Sequence, residues 1–155
     1  MDAVRTRLSG PVIGCDDAWR LAEFYAHLLG WSVVARSEEV PRGWALVRSP
    51  TGEHKLEFQR EEPFVPPVWP TVAGEQQMGM HLDIAVEGLA PMSAMEQRRE
   101  QFDEMVAFAT SLGARVAEHS PSRSGWSSCS IRRPSLLSVP GNGFGERSTR
   151  RADRR

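Results

Sequence analysis

One pattern occurs twice in this chain. Residues 24–34 read FYAHLLGWSVV and residues 107–117 read AFATSLGARVA, each a helical apolar stretch that closes on Leu-Gly and passes straight into a strand-like run. The chain has 155 residues, enough for one sizeable core and too few for two independent domains of ordinary size. Two copies of one unit that share a core satisfy both constraints.

The first copy can be followed residue by residue. Pro11-Val12-Ile13-Gly14-Cys15 is a short apolar run that stops at Asp16-Asp17, after which Ala18, Leu21, Phe24, Tyr25, Leu28 and Leu29 recur at spacings of three and four. That spacing predicts a strand followed by an amphipathic helix, with Asp16 or Asp17 accepting from the first-turn amides and Gly30 taking the left-handed closing position. Trp31 to Ala35 leaves as a second strand. Gly43 to Arg48 and His54 to Arg60 flank the turn residues Ser49-Pro50-Thr51-Gly52 and predict a hairpin. Alternation in its last strand puts Leu56 and Phe58 on one face and Lys55, Glu57 and Gln59 on the other. Solvent and a cleft are both destinations for that polar face.

Residues 62–77, EPFVPPVWPTVAGEQQ, hold four prolines, which neither donate to a ladder nor continue a helix, so an extended crossover is expected there. Met80 to Val86 then predicts a strand with His81, Asp83 and Ala85 on one side and Leu82, Ile84 and Val86 on the other. Pro91 to Leu112 predicts the second helix, lengthened by a mostly solvated stretch around residues 93–100, and Ala114 to Ala117 the strand after it. Residues 125–131 and 135–139 are the candidates for a last hairpin.

Composition narrows the function classes. Hydrophobic residues at 40% and charged residues at 25% describe an ordinary globular chain, and no run reaches the length of a signal peptide or a membrane span, so a cytoplasmic protein without a membrane partner is expected. Cys15 and Cys129, the only cysteines, supply neither a disulfide framework nor a four-thiolate zinc site. The net charge of −1 hides an uneven distribution, because residues 121–155 carry eight arginines against Glu146 and Asp153. That end lacks interleaved aromatic platforms, so no nucleic-acid partner is expected, and residues 141–155 are expected to form a basic, disordered tail.

The phrase Asp17-Ala18-Trp19-Arg20-Leu21-Ala22-Glu23-Phe24-Tyr25-Ala26-His27-Leu28-Leu29-Gly30-Trp31 resembles the opening strand-to-helix signature of the glyoxalase/bleomycin-resistance/extradiol-dioxygenase (vicinal oxygen chelate) superfamily. Trp44, Pro50-Thr51-Gly52, Leu56 to Arg60, the Pro/Trp-rich crossover and His81-Leu82-Asp83-Ile84-Ala85-Val86 are similar to its later landmarks and occur in the same order. The resemblance covers residues 10 to about 118 and points to the glyoxalase-like branch. It implies an α+β fold of two tandem βαβββ modules forming a curved mixed sheet around a cleft. Module one would span about 8–61, the crossover 62–77 and module two about 78–140, all within a single domain of residues 1–140. It also implies a small-molecule ligand in the cleft, lyase, isomerase or dioxygenase chemistry if the protein is an enzyme, and a homodimer. The alternative is a metal-free binding or resistance protein of the antibiotic-binding type.

The second module departs from the family. Members close it with a phrase like Trp-x-Val-x-x-Asp-Pro-x-Gly-x-x-Phe-x-Leu, whereas Trp126 here is followed by SSCSIRRPSLLSVPGNGFGERSTRRADRR, serine- and arginine-rich text that resembles coding sequence read out of frame. The C-terminal hairpin is therefore expected to be incomplete.

Metal-dependent members take one ligand from the first strand and one from the last strand of each module, leaving open positions for substrate. Carried over, the four positions fall near Gly10, at Glu57 or Gln59, at His81, and around Leu136 to Val139. The resemblance thus implies His81, Glu57 and Gln59 as a partial set for Ni, Zn, Mn or Fe, with Glu57 and His81 nearest the reacting atoms. Two of the four positions lack a donor, so the metal-free state is the expectation. Trp44, Trp69 and Phe64 are the candidate pocket aromatics. Each residue has a plainer role open to it: a satisfied strand-start histidine, the solvent face of a hairpin, and aromatics covering a core edge.

Overall fold

The computed structural model describes residues 8–68, 71–116 and 128–129. The first strand, β1 (Val12–Cys15), leads into the helix α1 (Ala18–Leu29). Asp17 caps that helix from extended backbone, its carboxylate accepting from the Arg20 amide at 3.1 Å. Gly30 closes it in the left-handed region at φ 64°. Strands β2 (Ser32–Arg36), β3 (Trp44–Arg48) and β4 (Lys55–Arg60) follow.

The four strands form one mixed sheet in the order β1-β4-β3-β2, in which β1 runs parallel to β4 and the other pairs are antiparallel. This is the complete βαβββ unit expected of the first half. Between β2 and β3 the register shifts at Val33/Ala35, so Val34 is the extra residue of a bulge.

Helix α1 covers one face of the sheet. Its buried stripe, including Leu21, Phe24, Tyr25 and Leu28, meets Ile13, Cys15, Ala45, Val47, Leu56 and Phe58. Phe58 is fully buried, with the Tyr25 ring stacked on it at 5.4 Å between centroids and 16° between planes. Removing an aromatic of this size from water contributes about 1.5–3 kcal/mol. The hairpin turn holds Ser49 buried, its hydroxyl accepting from the His54 amide at 3.1 Å.

In the second half the strand β5 (Ile84–Ala85) pairs antiparallel with β6 (Ser128–Cys129), and the helix α2 (Met95–Ser111) lies between them in sequence. Only Ile84 and Ala85 of the expected strand 80–86 are in a ladder, yet the alternation persists. Leu82, Ile84 and Val86 are half-buried while His81, Asp83 and Ala85 are exposed. Helix α2 begins at Met95 rather than Pro91, because residues 91–94 form a turn closed by the Ala94 amide on the Pro91 carbonyl at 2.9 Å. Its first two turns are largely exposed, and Arg98 and Gln101 reach back to the Ala90 carbonyl and amide at 2.8 and 2.7 Å.

The repeated Leu-Gly phrase has a structural counterpart. Trp31 donates to the Ala26 carbonyl and Ala114 to the Ala109 carbonyl, both at 2.9 Å and both five residues back. Gly30 and Gly113 each adopt positive φ at the turn, so both helices close in the same way. Ala109 and Ala114 are buried in the same core as α1 and the sheet, and Leu82, Ile84, Met105 and Leu112 pack against it. The expected strand at 114–117 is not formed over the described residues 114–116. Most of the last hairpin, residues 125–131 and 135–139, and the tail at 141–155 lie outside the described residues, save for β6.

Candidate functional site

The face of the sheet turned away from α1 carries the chemistry. Alternation along the strands places Val12 and Gly14 of β1, Lys55, Glu57 and Gln59 of β4, and Trp44, Leu46 and Arg48 of β3 on this open face. The register sets Glu57 between Val12 and Leu46, Gln59 between Gly14 and Trp44, and Lys55 beside Arg48.

Glu57 is the centre of the arrangement, with its side chain only 19% exposed. Its Oε1 accepts from the Lys55 ammonium at 2.5 Å and its Oε2 from the Trp44 indole nitrogen at 3.2 Å. The Lys55 hydrogen bond, helped by the lysine charge and the Trp44 bond, holds the Glu57 carboxyl below the ordinary glutamate value against the opposing effect of desolvation. Glu57 is therefore a fixed, ionised carboxylate at neutral pH.

Lys55 is held from behind as well. A Cβ placed on Gly10 would stand 3.1 Å from Lys55 Cγ and 3.4 Å from its Cε, so the lysine stem runs over the glycine. At the other end of β1 the Glu61 carboxylate fills the space a side chain on Gly14 would need, while the Glu61 amide donates to the Cys15 carbonyl at 2.8 Å. The absence of side chains at both ends of β1 thus admits Lys55 and Glu61 onto the face. Period-two alternation puts Lys55, Glu57, Gln59 and Glu61 together, but the roles of Lys55 and Glu61 follow only from which strand lies beside β4.

The remaining candidates are placed as follows. Gln59 is exposed beside Trp44 in the ladder. His81 lies just before β5 with its side chain 53% exposed, and its Nε2 is 3.7 Å from Asp83 Oδ1. Phe64 is half-buried in the crossover, and Trp69 is outside the described residues. Cys15 points into the core, where burial first and the Asp16 charge second push its thiol up to about 12.

A divalent metal does not fit the described residues. Among them no three His, Cys, Asp or Glu side chains gather closely enough to hold one. Gly10 offers no donor, and both Glu57 oxygens already accept from a cation and an indole.

A mixed four-stranded sheet with one helix-covered face, one polar open face and a second strand-helix-strand segment defines an α+β protein of the glyoxalase-like class. The family model for the Glyoxalase-like domain matches residues 11–144, and the chain belongs to that family. The match runs through the serine- and arginine-rich text that follows Trp126. Among solved structures the chain is similar to a possible glyoxalase from Bacillus cereus, at 14% identity and a TM-score of 0.45 over 70% of this chain and 76% of that one. No curated protein matches the sequence. No helix among the described residues is long and apolar enough to cross a membrane.

Proposed function

We propose that this protein binds a small aromatic or cationic organic molecule on the open face of β1, β4 and β3, and does so without a divalent metal. The observation that carries this reading is the state of Glu57: a carboxylate held ionised and oriented by Lys55 and Trp44, beside an indole on a face that α1 leaves uncovered. An indole offers a flat apolar surface with a negative face, suited to planar ligands and to organic cations that stack on it, and the carboxylate, already paired with Lys55, holds the ring in place. Lyase, isomerase or dioxygenase chemistry of the metal-assisted kind needs several donors around an open coordination site. The described donors favour binding over turnover. Pairing of two chains into a homodimer belongs to the same reading and is measurable by sedimentation.

The test is a thermal-shift screen of aromatic and cationic small molecules with EDTA present throughout. A binder at about 100 times its Kd adds about 2.7 kcal/mol, which raises Tm by several degrees for a domain of this size. The expected result is a responding compound whose effect is lost in Trp44→Ala. A panel with no responder, or a response that appears only when Ni, Zn, Mn or Fe is supplied, contradicts the proposal.

A further inference from the structure

Gly10 and Lys55 answer one another. The lysine stem lies where any side chain on Gly10 would project, and its ammonium ends on Glu57 Oε1. In the carry-over from the family the first module would hold a metal from near Gly10 and from Glu57 or Gln59. Gly10 has no side-chain donor, and the space beside it is crossed by a side chain that delivers a positive charge to Glu57.

We infer that Lys55 is a built-in cation that takes the place of a divalent metal on Glu57, so that the open face is charge-balanced by the chain itself. Three observations carry this. The Lys55 side chain is only 21% exposed, so its ammonium is not a freely solvated surface charge. The other Glu57 oxygen is directed by Trp44, which leaves the carboxylate pinned at both ends. The neighbour of Lys55 across the ladder is Arg48, so a second basic residue shares this face. Like charges repel, and a doubly charged ion is repelled more strongly than a singly charged one at the same distance. A metal approaching Glu57 must therefore expel the ammonium.

This inference deepens the metal-free reading above and rests on it in treating the open face as the site. Its test uses a metal and no organic ligand, so the two can fail separately. The probe is manganese(II) chloride added to the 15N-labelled full chain, read through paramagnetic loss of the Trp44 indole N–H resonance. That group donates to Glu57, so an ion on the carboxylate erases its signal. In the wild type the signal survives equimolar Mn2+. In Lys55→Met, which keeps an unbranched stem over Gly10 and removes the charge, it disappears at a Mn2+ concentration about tenfold lower than the wild type requires. Loss of the wild-type signal at equimolar Mn2+, or equal sensitivity of the two proteins, overturns the inference. Lys55→Gln is the second variant, and should neither variant fold, the wild-type titration decides alone.

Discussion

Asp17 and Arg42 lock the start of α1 to the loop before β3. The guanidinium of Arg42 pairs with Asp17 Oδ2, while Asp17 Oδ1 accepts from the Arg20 amide at 3.1 Å. The Arg42 carbonyl in turn accepts from the Ala18 amide at 3.1 Å, so one loop residue satisfies the helix through its backbone and its capping residue through its side chain. Arg42 takes positive φ, 63°, to do this.

Removing the cap and removing the arginine should therefore cost different amounts. Asp17→Ala loses both the helix cap and the ion pair and is expected to lower stability by about 1–2 kcal/mol. Arg42→Ala keeps the carbonyl bond and loses a pair whose arginine is 66% exposed, so a cost under about 1 kcal/mol is expected. Urea unfolding of the two variants gives both values.

The Lys55–Glu57 pair makes stability depend on pH in a definite direction. Glu57 titrates lower in the folded chain than when unfolded. Its contribution is thus fully present above the unfolded glutamate value and fades as pH falls through the folded value. Wild type should exceed Lys55→Met in stability at neutral pH, with the margin closing on acidification. Urea midpoints measured down a pH series test this, and a margin that widens towards acid contradicts it.

Much of the first half was legible in the sequence, and for local reasons. The three-and-four spacing from Ala18 to Leu29, bounded by Asp17 and Gly30, is realised as α1, and the Ser49 to Gly52 turn between two alternating runs is realised as the β3–β4 hairpin. The polar set of Glu57 and Gln59 was visible from period two alone. The parallel pairing of β1 with β4 was not, because it joins residues about 45 apart with no local signal, and it is this pairing that brings Gly10 under Lys55 and Gly14 under Glu61. In the second half the helix closure at Gly113 repeats that at Gly30. The solvated stretch expected around residues 93–100 is largely exposed, and the helix starts at Met95 rather than at Pro91.

Cys15 should be chemically silent in the native state. It is fully buried, its thiol donates to the Gln59 carbonyl at 3.4 Å, and burial keeps it protonated far above neutral pH. In a Cys129→Ser background, native protein is expected to release no chromophore from an aromatic disulfide reagent until denaturant is added. Prompt reaction under native conditions would place Cys15 outside the core.

Phe58 is the largest fully buried side chain among the described residues. Phe58→Ala removes the ring stacked on Tyr25 and leaves a cavity, with an expected loss of about 3–5 kcal/mol in urea unfolding. A loss under about 1 kcal/mol would mean that the core collapses to fill the space.

The most direct test of a binding face at Trp44 is an NMR titration with benzamidine, an aromatic cation that can stack on an indole, in EDTA. The predicted result is movement of the Trp44 indole N–H together with amides of β1, β3 and β4, while the Trp19 indole on the helix side stays in place. Shifts confined to α1 and its surroundings, or none at all at millimolar probe, would contradict the account.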